Sequence, residues 1–310
     1  MTKNLLPAMA VATACLISCN KDYNPGPPAV SNYTIDSAMS GLAVVPKTVT
    51  INISSGGSFM GTSGTKYTFP PNAFVTAAGV PVTGNVTVQV SEYLRKSDML
   101  FSNVLPVSNG EPLLSGGEIN VEATQGTTKL QMAPNTTFRA DMPMKGINGA
   151  GMGLFAGVRD PQTKNVIWKP IEDSAHHTGI VTNALDTISI VSNTLQMCNA
   201  DRFMTNPDFQ TFTVTATNGT DTIPDNAIKA YTLYDNYNGV WPLGLTGSLY
   251  HSVFQEHHVP KIPVHFAVLG TLNGLFYGGI LGATPETGKN YIVNLSKTTP
   301  AEFKKLLEAL

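Results

Sequence analysis

Four sets of side chains in this sequence have the types and spacing to do chemistry. The first is His251, Glu256, His257, His258 and His265, which fall within fifteen positions. A metal site needs three or four N, O or S ligands that converge. His257 and His258 are adjacent, so on a strand they point to opposite faces. Only His258 and His265, on either side of Pro260 and Pro263, have a route to each other. These residues therefore read as loop histidines, as do His176 and His177, and no metal is expected. The second is Cys198, with Asp201 after it and His251 downstream, which allows a formal Cys/His pair. Without a nucleophile elbow the thiol reads as a small buried hydrophobe. The adjoining Arg202 reads as a structural guanidinium that bonds backbone or a carboxylate.

The third set is Glu92, Asp98, Glu111, Glu118 and Glu122. A glycosidase needs two opposed carboxyls, and these are scattered over strands and turns with nothing in the sequence to pair them. Gly146 to Gly153 lacks the Lys-Ser/Thr that a phosphate loop carries. No catalytic residue and no cofactor is expected. The fourth set is Tyr231, Tyr234, Tyr237, Trp241 and Tyr250, clustered with Asn236, Asn238 and Gly239. Exposed aromatics beside amides suit stacking on a sugar and equally suit a protein interface. The competing reading is a Tyr-rich sheet whose rings face a core. The five aromatics form a candidate ligand platform.

The elements that must position these residues are strands. Only 13% of the 310 residues are charged, against about 25% in an average soluble protein. Gly, Pro, Ser, Thr and Asn take their place, a composition of short strands and turns. Val49, Ile51 and Ile53 alternate, as do Val86, Val88 and Val90, and residues 118–123 alternate again. Gly56-Gly57, Pro70-Pro71, Gly79, Asn109-Gly110 and Gly116-Gly117 punctuate them. Further strands are expected at 165–168, 187–190, 212–216, 264–269 and 275–277. The glycines between Pro143 and Gly153 suggest a domain boundary. Thr299 as N-cap, Pro300 at N1 and Glu302 at N3 open a C-terminal helix over 300–310. Phe303, Leu306, Leu307 and Leu310 share one face of it. The net charge of −2 carries no basic stripe, so nucleic-acid binding is not expected.

The N-terminus has its own chemistry. Lys3 precedes an apolar stretch, Leu5 to Ile17, too short to span a bilayer, which takes about 20 residues. Leu16-Ile17-Ser18-Cys19 resembles the bacterial lipobox. That resemblance implies cleavage before Cys19, a diacylglycerol thioether on its sulfur, and anchoring by several acyl chains. Asn20-Lys21-Asp22 is similar to a short tag that sends lipoproteins to the outer face of the outer membrane. With Cys15 removed and Cys19 lipidated, Cys198 is left alone, so no internal disulfide is expected.

A second resemblance rests on the stretch from Phe69-Pro70-Pro71 to Phe74, on Gly79 to Gly84, on Glu92 to Met99, and on Ser108-Asn109-Gly110 with Ser115-Gly116-Gly117. Cys198 to Phe203 adds a Cys-Asp-Arg-Phe-type segment, with Ala200 interposed. Together these resemble a family of uncharacterised bacterial surface lipoproteins, which implies no activity. The N-terminal half is also distantly similar to the ZU5 type of β-sandwich, which implies protein interaction.

The expectation is a mainly β protein: two β-sandwich-like domains with a short C-terminal amphipathic helix. Residues 1–18 would be a signal peptide, 19–40 a flexible tether, 41–145 a ZU5-like sandwich and 146–310 a second β-rich domain. The function expected is that of a lipid-anchored outer-membrane lipoprotein, a non-enzymatic interaction module for protein or glycan. The alternatives are a structural envelope component or a hydrolase acting on envelope or external polymer.

Overall fold

A computed structural model describes residues 33–143, 146–171, 179–183, 186–205, 207–219, 223–246 and 252–310. Cys19 and the rest of the N-terminal signal lie outside the described residues, as do Tyr250, His251, His176 and His177. The protein is mainly β, with 54% strand against 10% helix.

Sheet I runs in the order Lys47–Asn52, Asn85–Tyr93, Glu111–Gln125, Met197–Phe203, Gly153–Arg159, Val166–Pro170. Sheet II runs Gly179–Asn183, Thr187–Ser192, Phe138–Pro143, Lys66–Phe69, Gly57–Met60. The alternation read from the sequence explains how they face each other. Val86, Val88 and Val90 are buried on one face of sheet I, against Tyr67, Phe69, Phe138 and Ile190 of sheet II. The Asn109-Gly110 pair makes the tight hairpin into Glu111–Gln125, with positive φ at both residues (51° and 79°), the requirement that favours Asn-Gly there.

Sheet III runs Gly244–Leu245, Val253–Pro260, Phe209–Thr217, Asn290–Asn294, the last pair parallel. Sheet IV runs Val240–Pro242, Ile228–Tyr234, Val264–Leu272, Leu275–Ala283, Ser296–Thr298. Phe212, Val214, Phe254, Phe266 and Val268 fill the space between sheets III and IV. Part of the outer face of sheet I and the outer face of sheet IV are also buried. Tyr93, Leu113, Phe155 and Trp168 from sheet I join Tyr231, Leu233, Leu269 and Phe276 from sheet IV in a central core. Three helices cap that core: α1 (Ile35–Ser40), α2 (Lys96–Ser102) and α3 (Pro300–Glu308), through Ile35, Met39, Met99, Phe101, Phe303 and Leu307. The helix α3 expected from sequence is present with its Thr299/Glu302 capping box.

Two expectations need correction. Residues 34–40, read as the end of a tether, form α1. Thr34 accepts from Ser37 N at 3.1 Å, Ser37 Oγ accepts from Thr34 N at 2.9 Å, and Ile35, Ala38 and Met39 bury their side chains. The reciprocal cap offsets two orphan N–H groups, and the buried face does the rest. The boundary placed at 145/146 does not follow the sheets. Strands from 153 to 203 hydrogen-bond into sheets I and II, and the chain changes sandwich between Phe203 and Phe209. The glycine-rich stretch around 146–153 is a surface connection within the first sandwich.

Candidate functional site

The aromatic platform is largely a core. Tyr231, Tyr234 and Trp241 are only 3%, 0% and 7% exposed. Tyr231 enters the central core, whereas Tyr234 and Trp241 enter the core of the second sandwich. Because sheet IV is covered on both sides, successive residues of Ile228–Tyr234 are buried whichever way they point. Burial raises the phenol pKa of both Tyr231 and Tyr234. Tyr237 is half-buried and reaches the surface.

Tyr237 stands on the turn 235–239, which links Ile228–Tyr234 to Val240–Pro242. This turn is pinned where the two sandwiches meet. Asn238 O accepts from Ser115 N of sheet I at 3.1 Å, and Asn238 Nδ2 donates to Leu94 O at 3.2 Å. Gly239 has no substitute: a Cβ there would lie 2.8 Å from the Tyr234 ring and 3.1 Å from Leu113 O. Asp235 Oδ1 pairs with His265 Nδ1 at 2.6 Å, which ties the turn to the next strand.

Tyr237 lines two clefts. The larger, about 440 Å³, is lined by Leu94, Arg95 and Lys96, by residues 235–238, and by Leu307, Glu308 and Leu310 of the C-terminal segment. Arg95 and Glu308 approach to 3.8 Å. Burial lowers the Lys96 pKa, and the charge of Asp235 opposes that shift. The smaller, about 300 Å³, is lined by Leu114, Arg202, Thr205, Asp208, Tyr237 and Lys261 among others. Each cleft thus sets two cations, at least one carboxylate and one shared aromatic around a hollow of mixed polar and apolar lining. Such a surface can both donate to and accept from a hydroxylated ligand.

Neither family models nor curated proteins match this chain. Its chemistry has to be read from its own geometry.

The described histidines do not converge. Glu256 Oε1 accepts from the backbone N of His257 and His258 at 2.7 and 2.6 Å and lies 3.3 Å from His258 Nδ1. His265 faces Asp235 instead. Among the described residues no group of three or more His, Cys, Asp and Glu side chains gathers as metal ligands. Cys198 is fully buried, and burial pushes its thiol up to about 12.

The structure pairs two carboxyls that the sequence left apart. Asn199 Nδ2 donates to Glu118 Oε1 at 3.1 Å and also to Asp201 Oδ2, while Ser115 Oγ donates to Asn199 Oδ1 at 3.0 Å. The cause is a bulge. Asn199 pairs with Glu118 and Asp201 with Ser115, so Gly116 and Gly117 oppose the single residue Ala200. The extra residue sends Ser115 and Glu118 to the same face, where Asn199 and Asp201 also point. Gly117, at φ 126°, supplies the backbone conformation. Both carboxyls are 0% exposed, and Glu118 Oε2 and Asp201 Oδ1 have no partner. Burial, then the neighbouring Asp201, holds Glu118 well above the usual carboxylate range. Burial does the same to Asp201. Two buried carboxyls with one amide between them do not both ionise. The signal in the sequence was Gly116-Gly117 facing Ala200, which only the strand register makes visible.

Proposed function

We propose that this chain is a lipoprotein, cleaved before and acylated on Cys19, anchored at the outer membrane and facing outward. Its body is a non-enzymatic interaction module that takes a glycan at the Tyr237 clefts. The likenesses to uncharacterised surface lipoproteins and to ZU5-type sandwiches belong to the same proposal. The observation that carries the ligand reading is Tyr237, which stands on a turn pinned at the junction of the two sandwiches and lines two clefts that carry charged side chains. The paired carboxyls Glu118 and Asp201 support a binding role over hydrolysis, because a substrate has no approach to groups that are fully buried. Two measurements test the reading. Metabolic labelling with a fatty acid should mark the full chain and not Cys19→Ala. Glycan-array binding should depend on Tyr237, with Tyr237→Ala silent at unchanged thermal stability. An array blank for the native chain would end the glycan reading, and unlabelled native chain would end the anchor.

A further inference from the structure

Arg202 lies on the last part of Met197–Phe203, paired with Leu114, where sheet I ends beside the smaller cleft. It is partly buried, and its Nε is sealed from solvent with no acceptor. It enters none of the ion pairs formed among the described residues. A buried Nε without an acceptor is unfavourable by itself, and the rest of the guanidinium lines the cleft. Its planar fork matches a carboxylate. Lys261 lines the same cleft. Asp208 lines it too, so a ligand with two negative charges at one position would be repelled. A single negative charge beside hydroxyls answers both demands: the carboxylate accepts from Arg202, and hydroxyls donate to Asp208. The larger cleft, which Tyr237 also lines, holds Arg95 and Lys96 with two carboxylates, Asp235 and Glu308.

We propose that the two clefts are neighbouring subsites for one acidic oligosaccharide built of carboxylate-bearing sugar units, which crosses Tyr237 and sets a carboxylate on Arg202. This rests on the glycan-binding reading and narrows it to a charge class. Tyr237 offers the ring that a sugar face covers. The presence of both cations and acids in each cleft suits a repeating unit that carries both a carboxylate and hydroxyls. An acidic peptide has the charge but lacks the hydroxyls that Asp208 and Asp235 would accept from.

Calorimetric titration of the full chain with oligouronates of α and β linkage tests the proposal. The same oligomers as methyl esters, neutral oligosaccharides and poly-glutamate serve as comparison probes. The acid form should bind, and its methyl ester should bind at least about tenfold more weakly, the scale of a lost charge-assisted hydrogen bond. Arg202→Gln should lower affinity for the acid form to that of the ester without changing affinity for the ester, and Arg202→Lys should recover part of it. Thermal melts confirm that each variant is folded. If acid and ester bind alike and Arg202→Gln changes neither, the carboxylate contact is overturned while the glycan-binding reading stands. If poly-glutamate alone binds through Arg202, the saccharide is overturned and the anion seat is kept. If none of the probes binds the native chain, both the charge class and the glycan reading fall.

Discussion

Glu92 and Glu118 sit one strand apart in sheet I, and both are out of water, 1% and 0% exposed. Their surroundings differ in the number of donors and in the second carboxyl beside Glu118. Glu92 reaches from sheet I into the loop between Gly57–Met60 and Lys66–Phe69 of sheet II. There Thr62 Oγ1 and Ser63 N donate to Oε2 at 3.0 and 2.6 Å, and Thr65 N donates to Oε1 at 3.0 Å. Gly61 makes room for this, since a Cβ there would stand 2.3 Å from Oε2. Glu118 instead shares one amide nitrogen with Asp201, and each carboxyl keeps an oxygen without a partner. Burial alone does not decide what a carboxyl does. Three donors make Glu92 a staple between two sheets, while one shared donor makes Glu118 and Asp201 a place that holds a proton.

The comparison can be broken in several ways, the largest first. Glu92→Ala leaves three donors without an acceptor and should cost about 3 kcal/mol or more, read from the denaturant midpoint. A loss under about 1 kcal/mol would mean that water replaces the carboxylate and that the staple is not structural.

Glu118→Gln should act in the opposite direction. A carboxyl whose pKa is raised by folding binds its proton more tightly in the native state. The stability it contributes is therefore present below the unfolded value, near 4, and is lost as pH climbs toward the folded value. Native stability should fall with rising pH above the ordinary carboxylate range, by about 1.4 kcal/mol per pH unit for each proton released. Glu118→Gln should remove about one proton from that slope, because the pair titrates together. A wild-type profile with no such slope would show that the pair is solvated in solution.

Cys198 extends the comparison to a thiol on the strand of Asp201, packed in the core of the first sandwich and hydrogen-bonded only weakly, to Ser192 at 3.9 Å. With its pKa pushed up to about 12, native protein should resist iodoacetamide near neutral pH and react once urea unfolds it. Prompt labelling of the native state would show that this part of sheet I opens. The smallest effect belongs to a partly exposed carboxylate that has good donors. Asp141 accepts from Arg139 Nε at 2.7 Å and from Ser189 Oγ at 2.6 Å. Asp141→Asn should cost under about 1 kcal/mol, since water can take over.

Much of the local structure was legible in the residues. The alternations at 49–53, 86–90 and 118–123 became strands, and Asn109-Gly110 became the hairpin. The Thr299-Pro300-Glu302 signal became the N-terminus of α3. α1 was missed because only three of its residues are apolar, and its cap uses Ser37 where Glu or Gln is the familiar partner. Of the candidate site, the turn residues Asn236, Tyr237 and Asn238 were legible as a cluster. Their companions Arg95, Lys96, Arg202 and Lys261 were not, since they arrive from other strands and turns.

What the sequence determined by itself was therefore everything that a period of two, a turn dipeptide or a helix cap can encode. These are short-range signals, and each is complete within a few residues. Tertiary structure decided the rest. Sheet IV is buried on both faces, so Tyr231 and Tyr234 point in opposite directions and neither meets solvent. A two-for-one bulge at Gly116-Gly117 brings Glu118 to Asp201, eighty-three positions apart in the chain. Both outcomes depend on which strand lies beside which and on what covers a sheet, and neither is a property of any single segment.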